Sequence, residues 1–419
     1  MHGVACCGVS VRRHKWRRTA PDGRAPPPAH AVWLLTHYLA KIEIVGLLYF
    51  DTHATSYPKP EAVQRAVAQA LAAPPPPRSQ ASRLFDDTRQ ALLRFFGAAN
   101  GEALLFTSGS TEGLNLVIGG LPLRQGAQIV STVTEHNSVL RPLHALSQRS
   151  GIAYRLARCC PRGYVDLEQL RRLCAEGDTL ALVVNHASNV TGAVQPLAEI
   201  ANIAQATGAV LIVDASQSAG AVPISLKDTP VDALVGTAHK NLLAATGLGF
   251  VVLSQRFRPA PLKVGGTGSR SELLTQPDTL PLRYEAGTPN YVGIAALAAG
   301  VAYIEQIGIA SIQAAKRRHY ERVAAALRDM PNWQIFAPDT EIPTLNLHLP
   351  PLAPSDVAYM LAEIYDVQAR AGLHCAPLIH EFLGTRTQGG TLRLGFAHTQ
   401  TDEEVQQLID ALAALAAGM

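Results

Sequence analysis

Cysteine is scarce in this chain: six cysteines occur among 419 residues, and no two of them form a C-x-x-C pair. Four of the six are two adjacent pairs, which cannot easily close an ordinary disulfide. No histidines accompany the cysteines at zinc-ligand spacing. The sequence therefore excludes a small disulfide-stabilised secreted fold, and it predicts a reduced cytoplasmic protein without a metal site. The cysteines are Cys6, Cys7, Cys159, Cys160, Cys174 and Cys375.

Charged residues are also few. They make up 16% of the chain, and 36 basic side chains nearly balance 33 acidic ones. A net charge of +3 gives no general attraction for nucleic acid or for an acidic membrane surface. Long apolar runs are lacking as well, because His37, Lys41 and Glu43 interrupt the stretch 31–50. We therefore predict neither a nucleic-acid partner nor a membrane span.

The first 46 residues differ from the rest of the chain. They are rich in arginine and proline and follow neither helical nor strand periodicity. We predict that this basic extension is disordered, or that it precedes the true start of the protein. The chain as a whole is 47% hydrophobic, which is enough for a large core.

Short apolar runs alternate with helical segments through the middle of the chain. This alternation is typical of an α/β fold with a doubly wound, mostly parallel sheet, in which ligands bind at the carboxyl ends of the strands. The predicted strands are 103–106, 128–132, 152–156, 180–185, 210–213, 233–235 and 249–253.

Two of these strands end at side chains that suit one cofactor. The strand 210–213 precedes Asp214, and the next strand leads to Lys240 before a glycine-rich turn. Pyridoxal phosphate needs a lysine amine for its Schiff base and a carboxylate that keeps its ring nitrogen protonated. Taken alone, Lys240 could equally be a surface lysine and Asp214 a turn residue. Together they are our candidates for binding this cofactor.

Another strand end carries an anion-binding pattern. The segment TSGSTEG, residues 107–113, joins an apolar strand to an amphipathic helix. Free backbone N–H groups and the helix dipole favour negative charge at such a turn. Ser110 and Thr111 are therefore candidates for holding the cofactor phosphate. An ordinary capped helix is the alternative for this segment alone.

From about residue 47 to the C-terminus, several stretches match one family in the same order. The chain resembles the cysteine desulfurase and selenocysteine lyase family, within the class V aminotransferase group of fold-type I pyridoxal phosphate enzymes. It departs from the family's DNAAT at Thr52 and His53, near the expected substrate entrance. The matching stretches include TSGSTE, TEHNSVL, NHASNVTG, VDASQSAG, RYEAGTPN and RAGLHCAP.

The resemblance implies a division into two domains. Residues 73–290 would form a large cofactor-binding domain, and residues 291–419 would form linking helices and a smaller α+β domain. Residues 47–72 would join the smaller domain. The family also implies a homodimer.

The resemblance assigns roles to residues near the cofactor ring. It implies that His136 stacks on the pyridine ring and assists proton transfer. It also implies that Asn189 and Gln217 hydrogen-bond the ring hydroxyl, which stabilises the phenolate form of the cofactor.

Further cofactor contacts follow from the same comparison. Thr237 and His239 accompany Lys240 at the end of one strand, and we assign both to the cofactor. In the family, the glycine-rich loop that corresponds to residues 263–272 reaches the phosphate of the neighbouring subunit. Thr267 is our candidate for that contact.

Cys375 would decide the reaction. It follows His374 in a predicted loop, where a thiolate could attack the sulfur of a bound substrate. The resemblance implies that Lys240 removes the α proton of cofactor-bound cysteine and that Cys375 takes up the sulfur as a persulfide, leaving alanine. A buried structural cysteine is the alternative. The short spacing around Cys375 resembles the second group of cysteine desulfurases, which have a compact cysteine loop.

Two arginines are candidates for binding the substrate carboxylate, because a guanidinium can bind a carboxylate through two parallel hydrogen bonds. Arg393 matches the carboxylate-binding arginine of the family, and Arg370 matches a second arginine that lines the site. Each could instead be a solvated surface residue.

The sequence leaves the exact reaction open. The first reading is a cysteine desulfurase, with selenocysteine as a possible second substrate and an unidentified protein as sulfur acceptor. A class V aminotransferase, an epimerase or a carbon–sulfur lyase would keep the cofactor but leave Cys375 without a catalytic role. A non-catalytic sulfur-relay partner is a third possibility.

Overall fold

The computed structural model describes residues 46–74, 78–98 and 101–418. All but the last residue of the predicted basic extension lies outside these ranges. From residue 48 onward the chain forms one unit. The domain boundaries expected at residues 72 and 290 stay predictions.

The secondary structure alternates between strands and helices. The described strands are β1 (Leu48–Tyr49), β2 (Ala103–Thr107), β3 (Ala127–Thr132), β4 (Ala153–Ala157), β5 (Asp178–Asn185), β6 (Val210–Asp214), β7 (Ala233–Thr237), β8 (Gly249–Leu253), β9 (Gln334–Phe336), β10 (Thr344–His348), β11 (Val367–Gln368), β12 (Arg370–Gly372) and β13 (Thr391–Gly395). The described helices are α1 (Glu61–Ala72), α2 (Arg78–Phe95), α3 (Ser110–Gly119), α4 (Asn137–Ser150), α5 (Leu167–Ala175), α6 (Leu197–Thr207), α7 (Tyr291–Ile307), α8 (Ile309–Arg328), α9 (Pro354–Tyr365), α10 (Ile379–Phe382) and α11 (Asp402–Ala417).

The larger sheet contains seven strands in the order β2-β8-β7-β6-β5-β3-β4. The neighbours from β7 to β4 pair in parallel, whereas β8 runs antiparallel to both β2 and β7. This topology confirms the predicted α/β fold with a mostly parallel sheet. The carboxyl ends of β3, β5, β6 and β7 meet along one edge, as the strand pattern predicted.

Both faces of the larger sheet are buried, and strand β5 shows why. Its side chains point alternately to the two faces, because successive residues of a strand face opposite ways. Leu182 and Val184 belong to one apolar cluster, whereas Ala181 and Val183 belong to another on the opposite face. A continuous apolar run is therefore required here, since helices cover the sheet on both sides.

A second sheet comes from the C-terminal part of the chain. Its strands are antiparallel and follow the order β12-β13-β10-β9. Strands β1 and β11 form a separate parallel pair. This pair and the second sheet share one apolar cluster, which contains Leu48, Val367 and Leu394. Arg370 on β12 and Arg393 on β13 are directly paired in this sheet, so the two predicted substrate arginines lie side by side.

Helix ends follow the expected capping chemistry. The last helix begins with a capping box: the Thr401 hydroxyl accepts from the Glu404 N–H, and the Glu404 carboxylate accepts from the Thr401 N–H. Helix α4 is capped at its N-terminus by His136, whose ring accepts a hydrogen bond from the Ser138 N–H. The helix ends at Gly151, which adopts a left-handed conformation that favours glycine.

Within the described ranges, no single helix combines the length and apolar character of a membrane span. Helices α7 and α8 meet such a test only when they are taken together across an 81° bend.

Candidate active site

A cavity of about 220 Å³ opens at the carboxyl ends of the larger sheet. Among the predicted site residues, its walls contain Ser110, Thr111, His136, Asn189, Asp214, Gln217, His239, Lys240, Arg370 and Arg393. Residues from five strand ends or loops of the larger sheet thus meet two arginines of the smaller sheet. The structure therefore brings most of the predicted site together around one space.

Lys240 and Asp214 belong to neighbouring strand ends of this cavity. Asp214 is the last residue of β6, and its Oδ1 accepts a hydrogen bond from the Ser216 N–H at 2.9 Å. Burial lowers the pKa of Lys240 to about 8, and Asp214 partly opposes that shift. The lowered pKa makes the free amine, which can form a Schiff base, far more accessible near neutral pH than it is for an ordinary lysine.

His136 is held in one orientation at the start of α4. Its Nδ1 accepts from the Ser138 N–H at 3.0 Å and lies 2.9 Å from the Ser138 hydroxyl oxygen. Since Nδ1 is an acceptor, the proton of the neutral ring resides on Nε2. Burial, followed by the nearby Lys240 ammonium, lowers the pKa of His136 to about 4. The ring is therefore uncharged at neutral pH.

The anion-binding pattern lies at the N-terminus of α3. Ser110 and Thr111 are the first two residues of this ten-residue helix, and both line the cavity. The Thr111 hydroxyl lies 2.9 Å from that of Ser138, which connects this turn to the start of α4. Gly249 permits β8 to lie close to the turn at Gly109, because a Cβ atom on residue 249 would lie 2.5 Å from the Gly109 carbonyl carbon. Unpaired N–H groups and the helix dipole make this turn suitable for a phosphate.

Asn189 and Gln217 both line the cavity but already make protein contacts. The Asn189 Nδ2 donates to the His374 carbonyl at 2.7 Å, which leaves Oδ1 buried without a partner in the described structure. The Gln217 Nε2 donates to the His53 carbonyl at 3.0 Å, and Oε1 lies 3.3 Å from the His53 Nδ1. Their predicted contact with a ring hydroxyl stays a prediction.

Of three further predicted cofactor residues, one lines the cavity and two do not. His239 lines the cavity, and its carbonyl accepts hydrogen bonds from Ser56 and Lys59. Thr237 is buried at the end of β7, where its hydroxyl bonds the Leu248 carbonyl at 3.4 Å, and it is not part of the cavity wall. Thr267 faces a separate cavity of about 740 Å³. Its predicted contact with a neighbouring subunit stays a prediction.

The cysteine loop connects β12 to the short helix α10. His374 and Cys375 both have positive φ angles, 50° and 57°, which are uncommon for residues other than glycine. The Cys375 carbonyl accepts from the Asn137 N–H at 2.6 Å. The His374 Nε2 donates to the Thr391 carbonyl at 3.0 Å. These contacts hold the strained turn from both sides.

Cys375 itself lies beside the cavity rather than in its described wall. Its Sγ atom is 3.8 Å from the Arg370 Nη2, and both Arg370 and His374 line the cavity. The thiol is partly exposed. Part of the Cys375 side chain is therefore reachable from solvent.

Arg393 is almost fully buried and has two protein partners. Its Nη2 contacts the Asp51 carboxylate at 2.8 Å, and its Nη1 donates to the Asn189 carbonyl at 2.8 Å. Because a guanidinium has five N–H donors, three remain for a ligand, including the buried Nε that has no partner among the described residues. Arg393 can therefore bind a substrate carboxylate while Asp51 balances its charge.

Comparison with known proteins agrees with this arrangement. Residues 48–408 match the family model described as Aminotransferase class-V. The chain belongs to the class V aminotransferase family. A probable cysteine desulfurase from Pyrococcus abyssi is 32% identical, over 87% of this chain and 93% of the relative. A cysteine desulfurase from Escherichia coli strain SE11 is 30% identical, over 80% of this chain and 83% of the relative.

Solved structures of cysteine desulfurases share the fold. The apo structure of a cysteine desulfurase from Thermococcus onnurineus NA1 has a TM-score of 0.77 and 28% sequence identity. The S-sulfonic acid form of a cysteine desulfurase from Escherichia coli has a TM-score of 0.78 and 25% identity. Each alignment covers 89% of this chain and 95% of the solved one. The resemblance inferred from sequence motifs is thereby confirmed.

Sequence reasoning missed two side chains that support this site. Asp51 was visible in the DTHAT segment, but its pairing with Arg393 was not predicted. Glu135 is fully buried beside His136, and burial raises its pKa to about 8. The Glu135 Oε1 accepts from the Thr132 hydroxyl at 2.6 Å, so a protonated carboxyl supports the strand end. In the sequence, only the position of Glu135 next to His136 could have indicated that it supports this strand end.

Proposed function

We propose that this chain is a pyridoxal phosphate-dependent cysteine desulfurase, which converts L-cysteine to L-alanine and transfers the sulfur to Cys375. The observation that carries the proposal is the meeting of Lys240, Asp214 and Arg393 around one cavity, with Cys375 held beside it. An amine, a carboxylate, a carboxylate-binding cation and a thiol are the four groups that this reaction requires.

The cavity residues fit pyridoxal phosphate. Lys240 would bind its aldehyde carbon, Asp214 its ring nitrogen, and the first turn of α3 its phosphate. Two buried cavity atoms without partners in the described structure, the Asn189 Oδ1 and the His239 Nδ1, are further sites for a polar ligand. When bound, the cofactor supplies an electron sink for the α carbon of the substrate.

Arg393 orients the substrate. Its three remaining N–H groups can bind the amino-acid carboxylate, while Asp51 and the Asn189 carbonyl fix the plane of the guanidinium. Arg370 adds a second positive charge on the side that faces Cys375. The carboxylate would therefore be bound at the smaller sheet, on the same side of the cavity as the cysteine loop.

Lys240 moves the proton of the α carbon. Its pKa of about 8 makes the neutral amine available near physiological pH, and its position beside Asp214 keeps it within the cavity. His136, neutral and hydrogen-bonded at Nδ1, offers its Nε2–H as a fixed donor.

Cys375 accepts the sulfur. Its sulfur forms an S–S bond to the substrate sulfur while the C–S bond of the substrate breaks. The electron pair of the broken bond stays with carbon, which takes up one proton and becomes the methyl group of alanine. Cys375 is left as a persulfide, and no external oxidant is needed. The strained, pinned loop fixes the direction of attack.

Several finer features belong to the same proposal. We propose a homodimer, in which Thr267 reaches the site of the partner, and a cytoplasmic location. Selenocysteine would fit the same chemistry as cysteine. A separate acceptor protein would remove the sulfur from the partly exposed Cys375.

The test is turnover of L-cysteine by the purified protein in the presence of a reductant. Equal amounts of sulfide and alanine are expected from the parent, and Cys375→Ala should abolish both products while keeping the absorbance of bound cofactor. If Cys375→Ala turns over cysteine as well as the parent, Cys375 has no catalytic role and the carbon–sulfur lyase or aminotransferase reading replaces this one. Failure of the parent to bind pyridoxal phosphate would favour a non-catalytic partner.

A further inference from the structure

His53 is a buried histidine to which the reaction assigns no task. It lies between β1 and α1, lines the cavity, and is only 5% exposed. Its ring fits against Gly395, where a Cβ atom would lie 2.5 Å from the His53 Cδ2. The family motif resembled by this segment has alanine at the position of His53. The histidine and the space that accommodates it therefore need an explanation.

Both ring nitrogens of His53 are engaged. Nδ1 lies 3.3 Å from the Gln217 Oε1, and Nε2 lies 3.0 Å from the Thr344 hydroxyl oxygen. With Nδ1 and Nε2 both occupied, the ring is unsuited to exchange protons with a substrate or to bind a metal. Its role must be exerted through its neighbours.

The hydrogen-bond directions define the arrangement. The Gln217 Nε2 donates to the His53 carbonyl at 3.0 Å, so the opposite end of the amide, Oε1, faces Nδ1 and accepts its proton. Nε2 of His53 then keeps its lone pair and lies 3.0 Å from the Thr344 hydroxyl oxygen, whose proton is shared with the Ile342 carbonyl at 2.9 Å. Burial, followed by the charge of Arg393, lowers the pKa of His53 to about 3, so the ring keeps one proton at neutral pH. One residue thus binds both ends of the Gln217 amide.

Gln217 is also held through its main chain. The Asn241 Nδ2 donates to the Gln217 carbonyl at 2.7 Å, and the buried Lys316 ammonium donates to the Asn241 Oδ1 at 2.7 Å. The ammonium fixes the orientation of the Asn241 amide, because only its oxygen can accept from Lys316. Among the described residues, the second Nε2 proton of Gln217 has no acceptor, and Gln217 lines the cavity.

We propose that His53 is a positioning residue that fixes the Gln217 amide so that it presents an N–H donor, rather than a carbonyl oxygen, to a ligand oxygen in the cavity. This inference rests on the proposed function, in which that oxygen is the phenolic oxygen of pyridoxal phosphate. An amide that was free to rotate would offer the donor and the acceptor in turn. The main-chain carbonyl of residue 53 selects one orientation of the amide, and the Nδ1–H of His53 holds the oxygen end in that orientation.

The consequence is a measurable property of the bound cofactor. A fixed donor stabilises the negatively charged phenolic oxygen and so lowers the pKa at which the absorbance of the Lys240-bound cofactor changes. Loss of this one hydrogen bond should raise that pKa by about one unit.

The experiment is a pH titration of the cofactor absorbance. It compares the parent, His53→Ala, Gln217→Ala and the double variant, each with pyridoxal phosphate bound. Both single variants should raise the absorbance pKa by about one unit, and the double variant should go no further, since the two residues act as one device. His53→Asn, whose Nδ2 can replace the Nδ1–H donor, should restore most of the parent value. That rescue separates positioning from general damage to the fold.

A second readout does not require the cofactor. In the apoprotein, imidazole nitrogen NMR should show His53 neutral with its proton on Nδ1 between pH 5 and 8. If His53→Ala does not fold, Thr344→Val and His53→Asn carry the titration: the valine variant should raise the absorbance pKa, and the asparagine variant should not.

The outcomes distinguish this inference from the proposed function. A parent that takes up no pyridoxal phosphate overturns both. Two results overturn the role of His53 alone, provided that the parent binds pyridoxal phosphate and consumes cysteine. In the first, His53→Ala has the same absorbance pKa as the parent. In the second, the shifts of the two single variants add in the double variant. If NMR shows that His53 titrates near the ordinary pKa of histidine, the role of His53 is likewise overturned.

Discussion

The cavity has two unlike sides. On one side, Lys240, Asp214 and His136 follow directly from parallel strands, and each is placed by the local sequence that ends its strand. On the other side, Cys375 lies in a loop of the smaller sheet with two consecutive positive φ angles. The first side is set by regular structure, whereas the second is set by contacts between distant segments.

This difference corresponds to a division of chemistry. Binding a cofactor requires fixed groups in a largely dehydrated space, which the strand ends of a covered sheet provide. In the proposed function, passing sulfur to another protein requires a thiol that remains accessible, and Cys375 is partly exposed. A strained loop outside the cavity wall meets this second need.

The two sides are joined through few residues. The Asn189 side chain donates to the His374 carbonyl, and the Asn189 carbonyl accepts from Arg393, which in turn pairs with Asp51. This set of contacts aligns the cysteine loop with the strand ends. Variants on either side, or in the joint, should therefore fail in different ways.

Replacing Lys240 should have the largest effect, because both the cofactor linkage and the proton transfer depend on it in the proposed function. Lys240→Ala should lower alanine formation from L-cysteine by at least about 10²- to 10⁴-fold, the range of general acid–base catalysis. The absorbance of the Lys240-bound cofactor should also disappear. Lys227→Ala, at an exposed lysine, is the matched control and should behave as the parent. Equal loss in both variants would contradict the assignment.

Removing a contact that joins the two sides should mainly lower the stability of the fold. Asp51→Asn leaves the buried Arg393 without its carboxylate partner, and it should lower the free energy of unfolding by about 3–5 kcal/mol. Denaturant titration measures this change. Glu61→Gln, which removes an exposed ion pair with Arg65, should cost less than about 1 kcal/mol. Similar costs for the two variants would show that the Asp51 pair does not join the two sides.

The cofactor side should respond to pH through Lys240. Its folded pKa of about 8 lies below the ordinary lysine value of 10.5 because the ammonium is buried. The rate at which apoprotein captures pyridoxal phosphate should therefore rise with pH around a midpoint near 8 and level off above it, since only the neutral amine reacts. Asp214→Asn should lower the midpoint, because Asp214 opposes the shift. A rate that still rises at pH 10 would indicate an exposed lysine.

The smallest effect is expected at another thiol. Cys160 is exposed, and the described cavity wall does not include it. Cys160→Ser should leave both cysteine turnover and stability unchanged within about 0.5 kcal/mol. Loss of turnover in this variant, measured as alanine release, would mean that sulfur passes through a second cysteine.

The sequence was most informative where function follows local structure. The positions of Ser110, His136, Asp214 and Lys240 could be predicted, because each follows an apolar strand and ligands bind at the carboxyl ends of such strands. Thr237 shows the limit of this rule. It is near Lys240 in sequence, yet its hydroxyl bonds the neighbouring strand at the Leu248 carbonyl.

Long-range pairings could not be predicted in the same way. Asp51 and Arg393 are 342 positions apart, and Asn189 and His374 are 185 apart. Neither pairing follows from periodicity or capping, because both depend on how the smaller sheet packs against the strand ends. The left-handed backbone at His374 and Cys375 is equally hidden, since neither residue favours it intrinsically.

The most direct test of the division between the two sides is to locate the sulfur. The loaded protein would be incubated with L-cysteine without reductant, alkylated, digested and analysed by mass spectrometry, alongside Lys240→Ala. The account predicts one added sulfur atom on the peptide that contains Cys375, in amounts that match the alanine released, and none in Lys240→Ala. Alanine release with the added sulfur on Cys160, or on no cysteine, would contradict it.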